Sequence, residues 1–437
     1  MATVSWSVLA AVALQVPPVA KRVPHAVHFG AAGSKDRLTL NDDLFWLRDD
    51  TRSSHEVLEL LRKENEYSQS RTAHLAPLRE ELYQEMLSHL QEEFDQFPSP
   101  AADGYEYWSR TVAGRPFRLH LRRLRGSPMA KEEVVLDINA VAATLPKEQQ
   151  AQCGVAQVLP SPSGRLLAYT VDGTGGETYE VRLQRLQCGR GDGGGGDGDG
   201  GGGALETLQG TAGSLAWLDE ATLFYVRHDS THRPSQVWRH TVGSPQEEDT
   251  LVHEEEDPLF AVRCWATRDG SLLLIASESK ETSEVRYVQQ GDAAAGRPPR
   301  LVRRRAFGHS YEVDSHSPSR SLLLLTNEHG AVNSELRLAS LDAPSVWRPL
   351  EVAAAATAQG ESPVLAHAAG RSLDAVFVFD THLAVTGREG GASQVWVAPL
   401  QLAGGDAAGG DGEKLIAGSV RRLEFDEAEG YAAQAWG

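Results

Sequence analysis

A serine hydrolase of the α/β class presents its nucleophile in a G-x-S-x-G turn, where a sharp strand-to-helix bend exposes Oγ and leaves backbone N–H groups for the oxyanion. The sequence contains no such string. A zinc hydrolase of the HEXXH type needs two histidines one helical turn apart with a glutamate beside the first. His55-Glu56 and His253-Glu254 supply the first half and lack the second histidine. His25 and His28 are three apart, but in a Pro-bounded stretch that does not read as a helix, so they are taken as surface histidines. Gly189-Arg190-Gly191-Asp192-Gly193-Gly194 matches G-x-G-x-x-G after an expected strand, yet a glycine tract matches that pattern by composition and no amphipathic helix follows. The same tract is too irregular to be a stack of calcium repeats. Glu254-Glu255-Glu256-Asp257 reads as a solvated loop, with attraction of basic peptides as the minor alternative, and Arg303-Arg304-Arg305 reads as an exposed strand edge or loop. Trp238, Trp347 and Trp396 sit in strand-like runs and are expected to pack rather than to form a ligand platform. No catalytic, cofactor-binding or metal-ligating residue is therefore assigned, and no cofactor is expected.

The 437 residues suffice for two or three domains or one large repeat domain, and 41% apolar content supports a packed core. A formal net charge of -18 excludes nucleic acid as a partner, since phosphate binding needs a basic surface. Cys153, Cys188 and Cys264 are odd in number, far apart and form no C-x-x-C pair, which argues against a disulfide framework or zinc site and fits a reducing compartment. The apolar stretch from Trp6 to Val16 is too short to span a bilayer and lacks the basic flank of a secretory signal. The expectation is a soluble, cytoplasmic protein without a membrane partner, with residues 1–16 an undefined leader and organelle targeting the alternative.

From about Ser53 to Phe94 the pattern is helical. Ser53-Ser54-His55-Glu56 has the form of a capping box, and Val57, Leu58, Leu60 and Leu61 begin an apolar stripe. A second helix is expected near Pro77, with Leu75, Leu78, Leu82, Met86, Leu90 and Phe94 on one face and most of the glutamates off it. Pro98 and Pro100 end the helical region.

After Gly104 short β-type runs recur between Gly, Asp, Asn and Pro turns. Tyr179-Glu180-Val181-Arg182-Leu183 is echoed at Ser235–Arg239, Ser283–Tyr287, Ser334–Leu338 and Ser393–Val397, at a spacing of roughly 50 residues. Several are preceded by a turn and an apolar strand, as in SPSGRLLAYTVD, TRDGSLLLIASE and SPSRSLLLLTNE. A multi-strand repeat of this length marks a β-propeller, because one blade cannot bury both faces and neighbours must pack around an axis. The expected fold is mainly β: a propeller of the seven-bladed type preceded by an α-helical segment. Six blades are placed near 103–150, 155–208, 213–256, 260–303, 309–352 and 373–416, and Val420 to Phe425 would open a seventh. The expected domains are 17–100, helical, and 101–437, an incomplete propeller. Residues 189–203, and more mildly 353–360 and 404–412, read as loops without a core of their own.

The strings Pro17-Pro18-Val19-Ala20 to Pro24-His25 and Trp46-Leu47-Arg48-Asp49-Asp50-Thr51-Arg52, with Glu64-Asn65-Glu66-Tyr67 and Gly104-Tyr105-Glu106-Tyr107, resemble the entry segment of the oligopeptidase B type of prolyl oligopeptidase family serine peptidases. Weaker similarity continues through Gln236–His240 and Thr282–Arg286. The resemblance implies a helical segment, a seven-bladed propeller and a C-terminal α/β-hydrolase domain that carries the triad; no triad residue maps onto this sequence. It also implies cleavage of short peptides after Lys or Arg, the propeller excluding large substrates. The chain then reads as the gating portion of a serine oligopeptidase, inactive by itself, whose partners are short peptides and the missing hydrolase domain. The rival is a stand-alone propeller acting as a protein-interaction or regulatory module.

Overall fold

The computed structural model describes residues 16–29, 37–127, 129–186, 204–352, 365–403 and 414–424. The expectations for the leader before Val16, for Cys188 and the 189–203 tract, and for 353–360 and 404–412 lie outside the described residues. The chain divides into two compact units, Met1–Glu92 and Glu93–Gly437.

The first unit carries helices α1 (His55–Thr72) and α2 (Ala76–Ser88). The expected capping box does not form. Ser54 is the N-cap without a side-chain cap, and the role passes to Asp49, whose carboxylate accepts from the Thr51 N–H and hydroxyl and from the Ser54 N–H. Those bonds, Thr51's first, hold the Asp49 carboxyl below its ordinary range. The WLRDDTR string is thus a helix-entry device. Trp46, in a single 3-10 turn, donates its indole N–H to the Lys21 carbonyl at 2.9 Å. Pro77 sits in the first turn of α2, where its missing N–H costs nothing. The helix stops at Ser88, so Leu90 and Phe94 do not extend its stripe, and Phe94 begins a strand instead.

The second unit is a β-propeller built of antiparallel four-strand meanders. The first has Phe94–Asp95 and Ser99–Pro100 both paired with Tyr105–Thr111, followed by Leu119–Leu124 and Glu133–Asp137. The second and third share one sheet through the strand Glu206–Trp217, whose first half pairs with Tyr179–Arg185 and whose second half pairs with Thr222–His228. The fourth runs Ala261–Ala266, Leu272–Glu278, Ser283–Gln289, Arg300–Leu301, and the fifth Tyr311–His316, Ser321–Thr326, Glu335–Ser340, Ala343–Pro349. The sixth comprises Arg371–Val378, His382–Glu389, Ala392–Ala403 and Lys414–Ala417. Residues 421–422, expected to open a further blade, pair instead with Trp396–Val397 on the outer side of this sixth meander. The Gly418 N–H bonded to the Pro399 carbonyl keeps the chain along that edge, and Phe425 lies outside the described residues.

The second strand of each meander explains why the fold reads so clearly. Leu166–Val171 and Ser321–Thr326 are buried at all six positions. A strand covered on both faces loses the usual alternation and becomes a continuous apolar run. The period of two survives in the sorting of side chains: Leu273 and Ile275 pack toward the third meander, and Leu272 and Leu274 toward the fifth. Each of the five core clusters lies between successive meanders. Polar ties stitch the turns after the first strands. Glu220 accepts from Ser161 Oγ and the Ser163 N–H, Asp269 from Ser315 Oγ and the Ser317 N–H, and His316 Nε2 lies 3.0 Å from the Asp380 carbonyl.

Candidate functional site: one rim of the propeller

In an antiparallel meander, the connections before the first strand, between the second and third, and after the fourth all emerge at one rim. In the third to fifth meanders that rim carries the loops 229–233, 255–260, 279–282, 302–310 and 327–334. Arg233 organises it, donating to the backbone carbonyls of Glu255, Asp257 and Phe260 and to the Asp229 carboxylate. Arg305 donates to Glu255 Oε2 at 2.5 Å, lies 3.6 Å from Glu284 Oε1, and covers the Phe260 ring at 4.0 Å. Arg286 lies 2.6 Å from the same Glu284 oxygen. Burial opposes charge on both glutamates. Hydrogen bonds from the Arg305 side chain to Glu255, and from the Arg305 N–H to Glu284 with Arg286 beside it, outweigh burial and hold both carboxyls below their ordinary range.

The flagged charge runs therefore split. Glu255 is buried and paired rather than solvated, and Arg305 is its partner; Arg303 pairs with Glu328 and lies 3.6 Å over Trp347. Both runs read as loops because nothing local in the sequence pairs residues 50 positions apart. Trp396 is in the core, Trp238 packs against the cluster between the second and third meanders, and Trp347 against that between the fourth and fifth. Above the charged cluster the rim presents three apolar loop tips, Leu259, Phe307 and Val332, 77%, 94% and 80% exposed.

Two serine–histidine contacts resemble halves of a catalytic pair. Ser277 Oγ lies 3.2 Å from His253 Nε2, but Ser277 is fully buried, and burial first, then Arg286, pulls His253 down to about 4. Ser319 Oγ lies 2.7 Å from His316 Nδ1, and the other ring nitrogen faces a backbone carbonyl, not a carboxylate. Neither combines an accessible nucleophile with an oriented base. The remaining flagged histidines are apart from any such site. His25 stacks on Phe45, His28 bonds Thr39, and His55 lies 3.8 Å from Glu59. Among the described residues there is no group of three His, Cys, Asp or Glu side chains that could hold a metal, and no helix long and apolar enough to cross a membrane. Several of the rim's charges are thus paired, Arg233 with Asp229, Arg303 with Glu328 and Arg305 with Glu255, and three of its loop tips are apolar.

A helical entry segment followed by interleaved meander cores is the architecture of a β-propeller domain. Residues 18–408 match the family described as prolyl oligopeptidase, N-terminal beta-propeller domain, and the chain belongs to that family. It is 31% identical over 361 residues to dipeptidyl aminopeptidase BI of Pseudoxanthomonas mexicana, covering 79% of this chain and 46% of that protein. It is 28% identical to protease 2 of Moraxella lacunata, covering 87% and 50%. The structure of oligopeptidase B from Leishmania major superposes with a TM-score of 0.75 at 30% identity, covering 94% of this chain and 54% of that one. Oligopeptidase B from Trypanosoma brucei with covalently bound antipain does so with the same TM-score at 31% identity. The chain thus spans about half the length of the relatives it matches.

Proposed function

We propose that this chain is the helical segment and gating propeller of a serine oligopeptidase of the oligopeptidase B type, in which it admits short peptides to a hydrolase domain that cuts after Lys or Arg. The observation that carries the proposal is the likeness to two oligopeptidase B structures at TM-score 0.75 and about one-third identity over nearly the whole chain. Topology supports it. The first propeller strand starts at the rim of Leu259, Phe307 and Val332, and a connection leaving any outer strand leaves from that rim too. A catalytic domain joined there would cover the apolar tips, whose exposure otherwise costs about 25 cal/mol per Å2 of apolar surface.

The experiment compares the 437-residue protein with the same chain joined to the C-terminal half of Leishmania major oligopeptidase B. The chain alone is expected to leave arginine esters intact, and the joined protein to cleave short basic peptides while sparing folded proteins. Serine-reagent-sensitive esterase activity in the pure chain would overturn the first expectation. A joined protein that is stable yet inactive, or that digests folded proteins, would overturn the gating role.

A further inference from the structure

The strand Glu206–Trp217 has no counterpart elsewhere among the described residues. At the other described joints a loop carries the chain from one meander's outer strand to the next inner strand, for example 255–260 and 302–310. Here one strand serves both sheets, bending at Gly210 and Gly213, whose φ values of +69° and +81° favour glycine. At Gly213 a Cβ would meet the Tyr179 ring at 2.9 Å, so the bend also needs the missing side chain. Cross-ties follow the strand. The Leu215 N–H donates to Gln157 Oε1, the Trp217 indole to the Leu159 carbonyl, and Gln209 and Gln246 exchange two hydrogen bonds.

At its first residue lies a buried cluster that no part of the proposed function uses. His240 is fully buried. Its Nδ1 lies 2.7 Å from Asp249 Oδ1 and its Nε2 3.2 Å from Glu206 Oε1. The second oxygens are also occupied, Glu206 Oε2 by the Gly243 N–H and Asp249 Oδ2 by the Tyr225 hydroxyl. Burial raises the Tyr225 phenol well above its ordinary range, so it stays a donor. A carboxylate only accepts, so a neutral ring would set one lone pair against an oxygen at hydrogen-bond distance. The same contacts exist only if both ring nitrogens carry protons, or if one buried carboxyl is itself protonated.

We propose that His240 is held as an imidazolium between Glu206 and Asp249, a charged keystone that locks the second and third meanders into one rigid body. The shared strand supplies continuity across the joint, and the keystone fixes its outer end. Relative motion of meanders then falls at the loop-connected joints.

The test uses the 437-residue protein labelled with 15N-histidine, with His240 assigned by loss of its signals in His240→Gln. At neutral pH both ring nitrogens of His240 are expected in the protonated range; one in the unprotonated range overturns the keystone. Hydrogen exchange read by mass spectrometry is expected to open 206–211 and 212–217 in one correlated step. Independent opening of the two halves overturns the rigid body. In Glu206→Gln, exchange over 206–211 is expected to rise at least tenfold, and an unchanged rate counts against the keystone. The wild-type exchange readout needs no variant and decides the rigid body should either variant fail to fold.

Discussion

The two units bury their apolar residues very differently. In the propeller, whole strands are inaccessible on both faces, and Leu323 has no exposed surface at all. In the helical unit, Val57 is the one buried residue of α1, α2 has none, and Met86 is 65% exposed. Regularly spaced apolar residues thus end in unlike surroundings, and a stripe stabilises only where something covers it. Between successive meanders the propeller covers each apolar face with the next copy of itself, while the helices expose theirs.

The sharpest way to break that contrast is a pair of leucine truncations read separately. Leu323→Ala should cost about 2–5 kcal/mol, the range for a buried leucine left as a cavity. Urea unfolding followed by tryptophan fluorescence measures it. A loss below about 1 kcal/mol would mean that the interleaved layers collapse around the void and are less tightly packed than they look.

Next in size is Gly387→Ala, in the second strand of the sixth meander. Its φ is unremarkable, but a Cβ there would meet the Ser372 carbonyl oxygen at 2.0 Å and the Trp396 ring at 3.1 Å. Overpacking of this kind should cost about 1–3 kcal/mol. The same substitution at Gly370, where a Cβ meets nothing within 4 Å, is the control.

Much of this architecture was legible in the residues. The repeated cores at Val181, Val237, Val285, Leu336 and Val395 mark the third strands because each repeats the same alternation, and the runs LLAYTV and SLLLLT declare strands covered on both faces. Three features were not. Pro98 and Pro100 signal a helix end, yet Ser99–Pro100 joins the first sheet, as an edge strand tolerates proline. The boundary between the blades placed at 155–208 and 213–256 falls within one strand, bent at Gly210 and Gly213, and only the tertiary position of Tyr179 shows why. The Arg305–Glu255 pair spans 50 residues, a separation at which charge patterning carries no signal.

Acid should separate the units more gently. Burial pulls both His120 and His253 down to about 4 from an ordinary 6.5, so the folded propeller holds them neutral. Their contribution is fully present above pH 6.5 and is lost as pH falls toward 4, where the unfolded chain takes up protons that the folded chain refuses. Glu312 and Asp314, whose carboxyls burial pushes up, work in the opposite sense, so the histidine share is read by difference. A His120→Gln, His253→Gln double variant should lose less Tm than wild type between pH 7 and pH 4.5. Equal losses would mean that the two rings are hydrated in the folded state.

The smallest effect is expected where the sequence pattern is most persuasive. Leu82 occupies the centre of the apolar face of α2 and is 42% exposed. Replacing it by alanine removes little buried surface and substitutes a better helix former, so the change should stay within about 0.5 kcal/mol. Far-UV circular dichroism of the helical signal measures it. In the protein joined to a hydrolase domain the same substitution becomes informative. A cost that rises to about 2 kcal/mol there would show that the helix gains its cover from that domain, and an unchanged cost would leave the stripe uncovered even in the longer protein.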